Sequence, residues 1–295
     1  MKARPTEKRR RRQNKEVWKF IVFAVVLSSI FLLYPIFYSM YLSLHSMQGL
    51  QSIFVGFGNY VRMFNDGIFW KALMNNFTFL IFQVPIMVIL GLLMAFLLNT
   101  PNLKGRGFFK LALFLPCVTS LVSYAVLFKM MFQIGGIVND ALLGIGIIQN
   151  PIDWLNSPFW AKVTVIIALC WRWTGYNMIF YLAGLQNISE DTLEAADIDG
   201  ANGFQKFFQV VIPQLKPVIV FTTITSTIGT IQLFDEVVNL TGGGPSNETL
   251  TAAQLIYNHS FIYTSNFGYS ATLSWALVVI IAVLSVIQLR ISNRD

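Results

Sequence analysis

The chain has 295 residues, of which 55% are hydrophobic and only 12% are charged. Soluble globular proteins have about a quarter of their residues charged, so this composition argues against a soluble enzyme or binding domain. The formal charge of +7 does not indicate a nucleic-acid partner, because it comes entirely from residues 1–19, which carry nine Lys and Arg against Glu7 and Glu16.

Six long apolar runs follow this basic tail. A helix of about 20 apolar residues, at about 1.5 Å per residue, spans a hydrocarbon layer about 30 Å thick. The fifth run is the shortest and is rich in Thr and Ser, which predicts a helix packed among other helices. The sequence therefore predicts an all-α membrane protein with six transmembrane helices, within residues 20–44, 76–98, 109–132, 159–185, 218–233 and 269–289.

The first run and its basic flank predict the orientation. Lys and Arg stay on the cytoplasmic side, which places the N-terminus inside, and six crossings return Arg290 and Arg294 to the same side. A secretory signal peptide is the alternative for the first run, but this run exceeds an h-region of about 7 to 15 residues and lacks an obvious cleavage site before Tyr41. We interpret it as a retained anchor.

Motifs for catalysis or cofactor binding are missing from the sequence. It contains no G-x-x-x-x-G-K-[ST] phosphate loop, and His45 and His259 lack metal-binding spacing. Cys117 and Cys170 fall within predicted helices, where packing is a more economical role than a disulfide or a metal site. We therefore predict no catalytic residue, no metal and no cofactor in this chain.

The fourth predicted helix carries a charged residue. Arg172 lies halfway along the fourth run, where a charge costs at least about 2.5 kcal/mol on insertion scales, so it should face a cavity or a partner. The alternatives are a structural arginine held by backbone carbonyls and one that reaches the interface. Asp235 is a conceivable counter-ion, but it should lie nearer the outer surface, and no pair is predicted.

The fourth connection, residues 187–216, is long and acidic although it should face the cytoplasm. Ser189 is suited to cap a short helix, and Gly200 permits the left-handed conformation of a tight turn. A second helix, 204–211, should stop before Pro213, and Pro217 should open the next transmembrane helix. Leu193, Ala195 and Ala196 should form a small-residue face. Such a unit fits a groove on another protein, or it is an ordinary loop.

Some polar and aromatic side chains in the fourth and fifth helices have the chemistry of a sugar site. A pyranose has an apolar face and a rim of hydroxyls, which Tyr176, Ser226, Thr230 and Gln232 are equipped to contact. Ser226 and Thr230 share a helix face, whereas Trp171 and Trp173 point to opposite sides. Interhelical packing and hydrogen bonding is the alternative role for each of these residues.

The fourth connection also carries a resemblance to a known family. The pattern EAA, three residues, Gly, nine residues and I-x-L-P is the signature of ABC importer permeases, and it is matched by Glu194-Ala195-Ala196, Gly200 and Val210-Val211-Ile212-Pro213. FLPCVTSLVSYAVLFKMMF, IDGANGFQKFF and FDEVVNLTGGGPSNET are similar to the maltose-permease-like carbohydrate group. Ser189 and Phe204 depart from the usual proline and tryptophan.

The resemblance implies a type I ABC importer transmembrane domain in a bacterial cytoplasmic membrane. Its partners would be a second homologous permease, an ATPase dimer that binds ATP and Mg²⁺, and an extracytoplasmic sugar-binding protein. The chain would comprise a basic tail, 1–19, and a permease domain, 20–295, that contains the coupling loop 187–216.

The resemblance also assigns roles within that loop and the pathway. Glu194 would anchor the loop to the ATPase, Ala195 and Ala196 would permit close approach, and Gly200 would supply the bend. Tyr176, Ser226 and Thr230 match positions that line the substrate site of maltose-permease relatives. The sugar itself is not identified.

The main alternative to an importer subunit is a stand-alone secondary transporter or channel. Secondary carriers often have repeated halves and intramembrane ionisable residues, whereas Arg172 is nearly alone here and no internal repeat is apparent. An intramembrane enzyme is the third possibility and has no motif to support it.

Overall fold

The computed structural model describes Trp18 and residues 21–48, 51–100 and 103–292. Apart from Trp18, the predicted basic tail lies outside the described residues. The helices are α1 (Ile21–Ser43), α2 (Gly58–Phe64), α3 (Gly67–Leu98), α4 (Arg106–Val118), α5 (Leu121–Phe132), α6 (Ile137–Gly144), α7 (Pro158–Leu185), α8 (Glu190–Ile198), α9 (Gly203–Ile231), α10 (Asp235–Leu240), α11 (Ala252–Tyr257) and α12 (Phe267–Ser292). Strands β1 (His45–Gln48) and β2 (Gln51–Phe54) pair as an antiparallel hairpin.

The prediction of six membrane-spanning stretches is confirmed within the described residues. Six are long and apolar enough to cross a bilayer: α1, α3, Leu121–Gly144, α7, α9 and α12. The second begins nine residues earlier than predicted, because the Asp66 carboxylate accepts hydrogen bonds from the backbone N–H groups of Ile68 and Phe69 and caps α3 there.

The predicted third helix, 109–132, is wrong as one continuous element. The chain leaves helical geometry at Thr119 and Ser120, whose backbone is extended, so that α4 ends at Val118 and α5 begins at Leu121. Pro116 lies within the last turn of α4, where proline removes a backbone donor and weakens the helix. The break leaves carbonyl groups in the membrane region that must find partners elsewhere.

The predicted boundaries around Pro213 and Pro217 are also wrong. The helix neither stops before Pro213 nor starts again at Pro217, because α9 runs unbroken from Gly203 to Ile231. A π-helical segment, Lys206–Val211, ends two residues before Pro213. Its wider turn changes the backbone pairing at the place where the first proline lacks a donor, and such local adjustments let transmembrane helices accommodate proline.

The chain divides into two compact units. Among the described residues, the first comprises those up to position 63 together with residues 259–275. Its described part contains α1 and the hairpin, and buried Asn59 donates hydrogen bonds to the carbonyls of Ser43 and His45. The Thr272 hydroxyl donates to the same Ser43 carbonyl. These bonds satisfy backbone groups where the first span ends.

The second unit comprises residues 64–258 and 276–295. Its helices α3 and α7 run against each other, and two apolar clusters fill the unit, one around Phe79 and Tyr124 and one around Tyr181 and Leu215. Helices α4 and α7 approach so closely at Gly175 that a Cβ atom there would overlap the carbonyl of Leu113. Glycine is therefore required at this crossing.

Candidate functional site

A cavity of about 600 Å³ lies within the second unit. Volumes of this size are typical of small-molecule sites. Helices α3, α7 and α9 and the segment leading into α10 supply most of its wall, which includes Gln83, Arg172, Trp173, Tyr176, Asn177, Ser226, Thr230, Gln232, Asp235 and Glu236. The wall therefore combines aromatic surface with hydroxyl, amide and charged groups.

The five pathway residues named from the sequence all line this cavity. Tyr176 is 39% exposed, and its ring packs edge-on against Trp173 and Phe180. Gln232 is exposed, whereas Thr230 is buried, and its hydroxyl donates to the Ser226 carbonyl over 2.8 Å. Ser226 and Thr230, which are four residues apart on one helix face, are thus joined by a hydrogen bond from a side chain to the backbone.

Two buried amides in the cavity wall were not singled out from the sequence. Gln83 accepts a hydrogen bond of 3.4 Å from the Thr230 hydroxyl, and Asn177 donates to the Ser226 hydroxyl over 3.5 Å. Both residues interrupt strongly apolar helices, and a polar group inside a membrane helix is a functional signal in its own right. That signal was present in the sequence.

Arg172 is 5% exposed and combines two of the interpretations given above. It lines the cavity, and its guanidinium also donates to the carbonyls of Thr119 (3.2 Å), Cys117 (3.4 Å) and Pro116 (3.5 Å). These are the carbonyls exposed by the break between α4 and α5. A buried guanidinium, with its five donors, therefore satisfies the carbonyls at the interruption of the predicted third helix, 109–132.

The acidic neighbour of Arg172 is Glu236, and not Asp235. Its carboxylate lies 3.8 Å from the Arg172 Nε, and it accepts a hydrogen bond of 3.2 Å from the Trp173 indole. Trp173 lines the cavity, while Trp171 stacks on Tyr124. The buried Arg172 and Glu236 and the half-buried Trp173 form a polar cluster at the cavity wall.

The 187–216 segment contains the predicted turn between two helices. The Ser189 hydroxyl accepts a hydrogen bond from the Thr192 N–H and caps α8. Gly200 adopts φ +77°, and no other atom lies within 4 Å of the position that a Cβ would occupy. Asn202 caps α9 in a reciprocal pair with Gln205. An ion pair between Lys206 and Asp197 joins the two helices.

The predicted small-residue face of α8 is divided between two sides. Ala196 is buried and Leu193 packs against the apolar cluster around Tyr181, whereas Ala195 and Glu194 are exposed. The sequence interpretation that placed Leu193, Ala195 and Ala196 on one small-residue face is therefore wrong. Helical geometry explains the split, since positions 193 and 196 share a face that position 195 does not.

Two large apolar side chains are exposed in the same segment, after Glu194 and Ala195. Ile198 is 87% exposed and Phe204 is 73% exposed, on either side of the Gly200 turn. The inner side of this segment is anchored, because Phe207 packs on Phe96 with ring centroids 4.9 Å apart. The segment thus has a fixed inner face and an accessible apolar outer face.

A separate ionic cluster holds the loop between α10 and α11. The Glu248 carboxylate contacts Lys162 on α7 at 2.6 Å and Lys71 on α3 at 2.8 Å. These two hydrogen-bonded ammonium groups, Lys162 first, lower the pKa of Glu248 from its usual value. Lys71 also donates to the Ser246 carbonyl.

Replacing Glu248 by glutamine is expected to lower stability at pH 7 by about 1 kcal/mol, the scale of partly exposed ion pairs. Because the folded-state pKa is lowered, this contribution is present above the usual glutamate pKa of about 4.3 and is lost as the pH falls through the lowered value. Thermal unfolding of both proteins in detergent from pH 7 to pH 3 measures it. A difference that persists unchanged at the lowest pH would contradict an electrostatic role.

Residues 52–294 match the sequence model of the family described as "Binding-protein-dependent transport system inner membrane component". The match covers most of the chain. The protein belongs to this family. It is therefore a transport permease subunit and a multi-pass protein of the inner membrane.

Sugar-transport permeases are among the relatives of this permease. It is 55% identical to the lactose transport system permease protein LacF of Rhizobium radiobacter. The alignment spans 273 residues and covers 92% of each chain. It is 36% identical to the arabinooligosaccharides transport system permease protein AraP of Halalkalibacterium halodurans, over 93% of this chain and 85% of that protein.

The permease also shares its fold with a solved transporter. A chain from the crystal structure of a bacterial ABC transporter involved in the import of the acidic polysaccharide alginate superimposes with a TM-score of 0.83, over 96% of both chains, at 21% identity. The predicted fold class, an ABC importer transmembrane domain with six spans, is confirmed.

Proposed function

We propose that this permease forms the translocation pathway of a binding-protein-dependent ABC importer for a neutral mono- or oligosaccharide, with a disaccharide such as lactose as the first substrate to test. The observation that carries the proposal is the cavity of about 600 Å³, where aromatic rings stand beside hydroxyl and amide groups. Similarity to the lactose and arabinooligosaccharide permeases supports it.

Sugar recognition in the cavity would divide between ring stacking and hydrogen bonding. Tyr176 offers an exposed aromatic face, while Ser226, Thr230 and Gln232 offer polar groups along one side. A membrane helix gains little from exposing such groups to lipid, so a water-filled pathway is their natural environment.

The loop 187–216 would receive the ATPase. Its exposed side presents Glu194, Ala195, Ile198 and Phe204, an apolar patch with an acidic residue that suits a groove on a partner. The ATPase dimer would bind ATP and Mg²⁺, and its closure would move the loop. A second homologous permease and an extracytoplasmic sugar-binding protein would complete the complex, with both termini of this chain in the cytoplasm.

Reconstitution of the complete importer in proteoliposomes tests this function. Uptake driven by ATP is measured over a panel of neutral saccharides that includes lactose, maltose, trehalose and arabinooligosaccharides. A Tyr176→Leu variant is expected to raise the KM for the best-transported member at least fivefold, because the stacking face is lost. Phe159→Leu removes an exposed ring from the same helix outside the cavity and should leave KM unchanged.

The result that would contradict the proposal is ATP-independent uptake by this chain alone. That outcome would favour the secondary transporter or channel, which needs neither an ATPase nor a second permease. Import of amino acids or metal ions without import of any saccharide would refute the substrate class.

A further inference from the structure

The cavity wall contains three formally charged side chains. Arg172, Asp235 and Glu236 are the ionisable acids and bases among the lining residues that the structure describes, apart from the Tyr176 phenol. The sum of these three charges is −1. The placement of each charge determines what kind of solute the cavity can accept.

Two of the three charges offset each other. Arg172 and Glu236 are 5% and 7% exposed, and their Nε and Oε1 atoms lie 3.8 Å apart. The terminal nitrogens of the guanidinium donate hydrogen bonds to the carbonyls of α4 and Thr119. The Glu236 carboxylate accepts a hydrogen bond from the Trp173 indole. The pair is thus held in the protein framework and presents little net charge to a solute.

The third charge is not offset in this way. Asp235 is exposed, lies in the cavity wall and forms no ion pair with any described residue. No lysine is among the described lining residues, and Arg172 is already engaged by Glu236. An anionic solute in the cavity would therefore face an uncompensated carboxylate, and the two like charges would repel each other.

We propose that Asp235 is a specificity-determining residue that makes the cavity select neutral saccharides and reject acidic ones. Its carboxylate has two acceptor oxygens with which to bind neighbouring sugar hydroxyls, and its charge repels uronate, sulfonate and phosphate groups. The fold alone does not impose this selection, because the solved transporter that shares it is involved in the import of an acidic polysaccharide. This inference rests on the proposed function.

The test uses the complete complex of both permeases and the ATPase pair, without the binding protein, so that only the membrane cavity selects. Equilibrium binding is measured for the best-transported neutral disaccharide of the panel, lactose in the first instance, and for the same disaccharide with one hydroxymethyl group oxidised to a carboxylate. We expect the wild type to bind the neutral sugar at least tenfold more tightly. Asp235→Asn should reduce this preference below threefold.

A matched control is available outside the cavity. Asp140 is also an exposed aspartate in the first turn of a short helix, and it does not line the cavity, so Asp140→Asn should keep the full preference. Raising the salt concentration to about 0.5 M should narrow the wild-type preference, because screening weakens exposed charges.

Two results would overturn the inference. One is a wild type that binds the neutral and acidic disaccharides equally, and the other is an undiminished preference in Asp235→Asn. Both differ from failure of the proposed function, in which the complete importer transports no saccharide of the panel and the inference falls with it.

Discussion

Gly200→Asp is expected to lower the rate of ATP-driven uptake at least a hundredfold while leaving the permease folded and inserted. Gly200 has φ +77°, and nothing lies within 4 Å of an added Cβ atom. An aspartate therefore fits sterically, and its left-handed backbone conformation costs about 1 kcal/mol of folding stability. The new carboxylate would project from the proposed docking side between Ile198 and Phe204. Co-purification of the ATPase and ATP-driven uptake are the two measurements.

Gly146→Asp is the matched control for this variant. Gly146 has φ +75° and equally open surroundings, but it lies in the connection between α6 and α7. The same backbone strain and the same new charge are therefore introduced away from the proposed docking side. If both variants lost transport equally, or if Gly200→Asp assembled and transported normally, the loop would not be the ATPase contact.

Arg172→Met is expected to lower stability by about 3 kcal/mol, seen as a fall of roughly 6 to 12 °C in apparent Tm in detergent. The substitution removes the donors from three carbonyls at the break between α4 and α5, and it leaves the buried Glu236 without its cationic neighbour. Unpaired polar groups of this kind are costly in a membrane interior.

A double-mutant cycle separates the two causes. Adding Glu236→Gln to Arg172→Met removes the orphaned charge, so the double variant should lose at least 1 kcal/mol less than the sum of the single variants. Arg172→Lys keeps the charge but reaches fewer carbonyls, and should be intermediate. Strictly additive losses would show that Arg172 acts only through the carbonyl groups and that its contact with Glu236 has no energetic weight.

The six spans were predictable because hydropathy depends on composition over about 20 residues and tolerates errors at the ends. The break at Thr119 was not, because local weakening by Pro116 does not by itself end a helix, and the freed carbonyls are satisfied by Arg172, some 50 positions later in the sequence. The continuity of α9 was missed for a related reason: proline penalties are local rules, and the π-helical segment before Pro213 compensates for them.

The residues of the candidate site were predictable to different degrees. Tyr176, Ser226 and Thr230 stood out as polar groups in apolar helices, and the same criterion would have found Gln83 and Asn177. The choice between Asp235 and Glu236 was beyond the sequence, because the residue before them, Phe234, has irregular backbone angles of φ −138° and ψ −66°. Helical periodicity cannot assign directions across such a turn.

Because α9 is unbroken, it connects the loop 187–216 directly to the cavity, which bears on how tightly ATP hydrolysis would be coupled to import. The helix begins in the loop 187–216, reaches the cavity residue Thr230 and ends at Ile231, and its 29 residues have a length of about 43 Å at about 1.5 Å per residue. A helix that stopped at Pro213 would have introduced a flexible joint, at which the loop could move without moving the cavity residues. If the ATPase docks on the loop as proposed above, displacement of the loop end should displace the cavity wall, and little ATP should be hydrolysed without a matching change in access to the cavity.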